Sequence, residues 1–201
     1  MKTTALHSGR TPSRWHREKL GGTAGFSLLE MMVVVAIMGI LGSMAMIEAI
    51  TARRAMQADS GMRLVMAQLN TARERAITER RFMQVNFLGT NSVQITRMEV
   101  PAGTTVLTTV WMEGNVEFSD LTAEIDTPDA FGNEAPVSFG GAPAIMFGTD
   151  GSLIDNTGTP VNGTVFLAIA NQPESYRAVT VLGSVGRIRA YRWSGLQWNR
   201  V

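Results

Sequence analysis

GFSLLEMMVVVAIMGILGSMAMI, residues 25–47, holds one ionisable side chain, Glu30, four residues after Phe26. As a helix rising about 1.5 Å per residue, positions 26–47 span roughly 33 Å, enough to cross the hydrocarbon of a bilayer. An acid in such a span costs about 2.5–3.5 kcal/mol on insertion scales, so a carboxylate kept there calls for a cationic partner. Basic residues lie just before the run and Glu48 just after it, a bias that puts the N-terminus in the cytoplasm and the C-terminal bulk across the membrane. A secretory signal peptide would carry its cleavage site after the apolar run. Ser43 to Ala45 or Met46 to Ala49 could be read that way, but Glu30 is then left without a role.

The chain of 201 residues allows one domain plus an anchor, and its net charge of +1 conceals three blocks. Residues 1–25 carry Lys2, Arg10, Arg14, Arg17 and Lys19 against Glu18, which makes them +4 and the remainder −3. Residues 98–175 contain eleven acids and no base, whereas residues 176–201 contain five arginines and no acid. Cysteine is absent, which removes disulfides and thiolate metal sites and leaves the redox compartment open. All Lys and His residues fall within residues 1–25.

A basic leader, Gly25-Phe26-Ser27-Leu28-Leu29-Glu30 and an unbroken apolar helix together resemble the type III signal of bacterial type IV prepilins and pseudopilins. The resemblance implies cleavage by a prepilin peptidase between Gly25 and Phe26 on the cytoplasmic side, followed by methylation of the new Phe26 amine. The apolar segment then stays on the mature protein, held first by inner-membrane lipid and later by other pilin or pseudopilin subunits. Glu30 acquires a reason in this setting. Cleavage creates an amine one helical turn away, and Glu30 can pair with that amine on a neighbouring subunit while also suiting the positive end of its own helix. Two features depart from many members: the leader is long, and the helix has no Pro at which to kink.

Helical periodicity continues beyond the span through Met62, Val65, Met66, Leu69, Ala72, Ala76 and Ile77, with Leu64 off the stripe and Arg73 on it. The expected helix therefore runs to about Arg81, weakened but not ended by Gly61. Period-two and β-branched runs follow at 82–87, 92–97, 105–112, 144–147, 164–170, 176–182 and 186–193. Turn chemistry separates them at Gly89-Thr90-Asn91, Thr149-Asp150-Gly151 and Asn171-Gln172-Pro173. Residues 113–143 read as a long loop. The expected organisation is a leader at 1–25, a transmembrane segment at 26–47, its amphipathic continuation at 48–81 and a β-rich head at 82–201. That is an α+β fold, with a long helix packed on an antiparallel sheet or sandwich. Together with Ile145-Met146-Phe147-Gly148-Thr149-Asp150-Gly151 and Gly186-Arg187-Ile188-Arg189, this plan resembles the GspH/FimT group of minor pilins and pseudopilins, serving type IV pili or type II secretion.

Without His, Cys or Lys after residue 25, the mature chain lacks the nucleophile–imidazole pairs, imidazole zinc sites, Schiff-base lysine and phosphate-loop lysine of common catalysts. A structural role follows, with no cofactor. Asp150, Asp155 and Asn156 offer hard oxygen ligands for calcium, but at a spacing that matches no recognisable loop. Arg187, Arg189 and Arg192 stand among Tyr191, Trp193 and Trp198, a mixture suited to phosphates and bases. Some FimT-like pilins use a C-terminal Gly-Arg-x-Arg stretch in DNA uptake, which makes DNA an alternative partner through Gly186 to Arg189. The competing reading is that these arginines offset the anionic middle of the head.

Overall fold

The computed structural model describes residues 25–121, 125–142 and 144–201; the leader, apart from Gly25, lies outside them. The first element is helix α1, Leu28–Glu79. It starts after Ser27, whose carbonyl accepts the Met31 N–H at 3.1 Å and whose Oγ accepts the Glu30 N–H at 3.1 Å. Ser27 is thus the N-cap, at the head of a Ser-x-x-Glu spacing whose serine half is made. Gly25 and Phe26 stay outside the helix. The far end stops two residues short of the expected Arg81. Arg80 turns left-handed at φ 51°, and the Arg81 N–H returns to the Ala76 carbonyl at 3.3 Å, a Schellman-type closure without the usual glycine.

The chain divides within α1 into two compact units, one through Met44 and one from Ala45 to Val201. In the first, the apolar residues of α1 are exposed in the isolated chain. In the second, Ala58, Gly61, Met62, Val65, Leu69, Ala72 and Ala76 are buried, which bears out most of the stripe. Ile77 is a correction, being largely exposed at the stripe's edge. Gly61 has a packing reason: a Cβ there would sit 2.9 Å from Val116 Cγ1.

Two antiparallel sheets complete the second unit. The first runs in the order β3 (Thr104–Trp111), β2 (Ser92–Met98), β1 (Met83–Leu88), β6 (Ile145–Phe147), β7 (Leu153–Ile154). The second runs β11 (Trp198–Arg200), β10 (Arg187–Trp193), β9 (Gln172–Leu182), β8 (Gly163–Ile169), β4 (Glu117–Phe118), and β5 (Val137–Ser138) also pairs β8. The seven expected runs are all strands, each within a few residues of its expected bounds. The region read as a plain loop differs, because it supplies β4 and β5 to the second sheet. The expected turn at Asn171-Gln172-Pro173 also shifts. Asn171 takes the positive φ of 59° and β9 already begins at Gln172, with Pro173 tolerated next to a register shift between Leu167 and Ile169.

The second sheet is covered on both faces. Val165, Leu167, Val179 and Val181 join the main core with α1 and the first sheet, whereas Phe166, Ala168, Ala178 and Tyr191 point the other way into a second cluster with Trp193 and Trp198. Burial on both faces explains the continuous apolar run of β8 where half-buried strands alternate.

Candidate assembly site

The residues expected to be processed and paired, Gly25, Phe26 and Glu30, fall within one short stretch at the described start of the chain. Gly25, Phe26 and Ser27 precede the helix and are exposed, and Glu30 lies in the first helical turn. At the third helical position its carboxylate stands where unpaired N–H groups make the helix end positive. Ser27, which no composition or hydropathy pattern singled out, fixes where that turn begins; the signal for it was the Ser-x-x-Glu spacing.

In the head, the three arginines of the C-terminal stretch part ways. Arg189 pairs with Asp129, whose carboxylate also accepts Thr180 Oγ1 at 2.6 Å and the Tyr191 hydroxyl at 2.9 Å. Burial works against the charge on Asp129, but the hydrogen bonds from Thr180, Tyr191 and Arg189 together hold its carboxyl below the ordinary aspartate range. Burial and the bond to Asp129 push the Tyr191 phenol up. Asp129 belongs to a strap, residues 125–133, closed by Asp126 accepting the Gly132 N–H at 2.8 Å and anchored by Trp198 Nε1 donating to the Ile125 carbonyl.

Arg192, one residue on from Tyr191, points to the other side and pairs with Asp59 of α1. Asp59 also receives Arg177 Nε at 2.6 Å. Arg177 is 1% exposed, and its remaining N–H groups reach the carbonyls of Glu174, Tyr176 and Ala55. Burial lowers its affinity for the proton, and the bond to Asp59 opposes that without reversing it. Arg187 is exposed. Two of the three arginines are therefore occupied with acids of the same chain, Asp129 in the head and Asp59 in α1.

Of the three candidate calcium ligands, the two aspartates close their own turns. Asp150 Oδ1 accepts the N–H and hydroxyl of Ser152 at 3.0 and 2.7 Å. Asp155 Oδ1 accepts from Thr157 N, Thr157 Oγ1 and Thr159 N at 2.8, 2.7 and 2.9 Å. Among the described residues, no three His, Cys, Asp or Glu side chains converge as a metal site.

Residues 22–46 match the prokaryotic N-terminal methylation motif, and residues 62–185, more than half of the chain, match the type II transport protein GspH. The chain belongs to the GspH family. No curated protein matches it. A solved structure, the minor pseudopilin EpsH from the type 2 secretion system of Vibrio cholerae, is similar at 14% identity and a TM-score of 0.45, over 67% of this chain and 94% of that one.

As a GspH-family chain with the methylation motif, it is a membrane-anchored pilin-type subunit of a type II secretion or type IV pilus system, and its family is structural rather than enzymatic. The two stretches that carried the GspH/FimT resemblance meet on α1. Arg73 donates from Nε to the Gly151 carbonyl at 3.1 Å and from Nη2 to the Val185 carbonyl at 3.2 Å. Gly186, at φ 60°, passes so close that a Cβ would lie 2.0 Å from the Gly151 oxygen, which is why glycine stands there. Arg73, the cation that seemed misplaced on an apolar stripe, is the clasp between them.

Proposed function

We propose that this GspH-family subunit is cut between Gly25 and Phe26 by a prepilin peptidase, methylated on Phe26 and drawn from the inner membrane into the tip region of a pilus or pseudopilus, with its head in the periplasm. The supporting observation is the start of α1. Gly25 and Phe26 are exposed and lie outside the helix, ahead of a first turn that holds Glu30. Hydrolysis there frees an amine within reach of a carboxylate of an adjoining subunit, and in an apolar filament core the two charges are far better paired than separate. Methylation leaves that amine protonated. Mass spectrometry of the membrane-extracted protein tests the proposal. A chain starting at methylated Phe26 is expected, and one that retains residues 1–25, or begins after Ala45, would refute it.

Capture of DNA by the C-terminal stretch is the alternative function. Exposed Arg187 and Arg200 favour it, while the pairing of Arg189 and Arg192 with Asp129 and Asp59 favours a purely structural tail. Titration with duplex DNA across a salt series distinguishes them. A DNA-binding tail gives affinity that falls steeply with salt and drops further in Arg187→Ala.

A further inference from the structure

Strand edges expose unpaired amides and carbonyls, and most proteins blunt them with charge, Pro, shortness or a covering segment. This head does so at three of its sheet ends. β7 has two residues and bridges to Pro160 through Ile154, β4 has two residues, and β11 has three and carries Arg200. β3 is the exception. It is terminal in its sheet, eight residues long, and its sequence Thr-Thr-Val-Leu-Thr-Thr-Val-Trp has neither charge nor Pro. Trp111 is 61% and Val106 57% exposed on it.

The surface beside that edge is neutral as well. Register places Val106, Thr109 and Trp111 opposite Thr96, Gln94 and Ser92 of β2, with Leu107 the extra residue of a bulge. A row of uncharged side chains crosses the three strands. Gln84 donates to Asn86 at 2.8 Å, Asn86 to Thr96 at 3.4 Å, and Gln94 to Thr109 at 3.0 Å. At the β3 start, Arg97 is already neutralised by Glu79 and Glu99. Beyond the Arg97, Glu79, Glu99 and Arg81 cluster at the β3 start, a charged strand laid along this edge would lose its hydration and meet only uncharged side chains.

We propose that β3 receives an added strand, an extended uncharged segment of the head of a neighbouring pilin-type subunit, an inference that rests on the filament reading above. Size excludes a free-standing dimer as the occupant. Eight residues at about 3.3 Å by a sheet thickness of about 10 Å give roughly 260 Å² per partner, against about 800 Å² for a stable complex. Such a contact is useful only between tethered partners. In a filament, the apolar helices hold neighbouring heads at high effective concentration, so a weak main-chain ladder becomes a specific join.

The test uses the full-length chain in bacteria assembling the filament, with photoreactive benzoylphenylalanine replacing Trp111 or, as a control, Leu196, which is 83% exposed on the turn between β10 and β11. The expected result is a light-dependent product from position 111 with another pilin-type subunit in the sheared filament fraction, identified by mass. It should fall at least tenfold in Val106→Lys, whose melting temperature in detergent stays unchanged, while any product from position 196 is unaffected. A processed, filament-borne chain that yields no product from position 111, a product that persists in Val106→Lys, or a homotypic product formed equally in detergent solution overturns the inference and leaves the filament reading intact. A chain that stays unprocessed and outside the filament fraction defeats both, and its intact N-terminal mass distinguishes that failure.

Discussion

Glu30 and Asp129 are two carboxylates with opposite economies. Asp129 finds its three donors inside the head, whereas Glu30 sits exposed at a helix start with its cation expected from another molecule. Glu30→Ala should still be cut at Phe26, because the scissile bond lies outside the helix, yet enter sheared filaments at least tenfold less, since removing one partner of a desolvated ion pair strands the other. Quantifying mature protein in the filament fraction checks this. For Asp129, the folded pKa lies below the unfolded value of about 3.9, so its stabilisation is full above that value and fades as pH falls through the lower folded one. Acid below about pH 4 should therefore loosen the 125–133 strap, seen as a change in Trp198 fluorescence that Asp129→Asn abolishes. Glu30 was legible in sequence as an acid in an apolar run. Asp129 was not, because its partners Thr180, Arg189 and Tyr191 lie 51 to 62 residues away and no local pattern records them.

At the scale of elements, α1 declared itself through an apolar span that passes into a 3.6-residue stripe, and the longer strands through β-branched runs. The two-residue strands β4, β5 and β7 were not legible, since a pair of residues has no period, and neither was the three-residue β11. Nor was the join between α1 and β9. Arg177 and Asp59 are 118 residues apart, and the basic tail read as a surface gave no hint that one arginine of the same block is core. Arg177→Ala leaves Asp59 short of a partner and the carbonyls of Glu174, Tyr176 and Ala55 without their donor. A cost of about 3–5 kcal/mol is expected, or a melting temperature lower by about 10 °C, measurable by circular dichroism on the detergent-solubilised chain. Arg192→Ala, which removes the more exposed partner of the same carboxylate, should cost far less.

For the molecule as a whole, strands clad on both sides should open last. Hydrogen exchange followed by mass spectrometry is expected to be slowest in β8 and the second half of β9, slower than in β3, which is covered on one face only. The charge blocks of the sequence meet only at points, with the basic tail pairing Asp129 from the anionic middle and Asp59 from the helix. Arg177 has a mechanical consequence as well. On the filament reading proposed above, a subunit drawn from a bilayer would be pulled through α1, and Asp59 and Ala55 would pass that load to the innermost strand. The head is gripped by its keel, so traction on the anchor moves it without first peeling its rim.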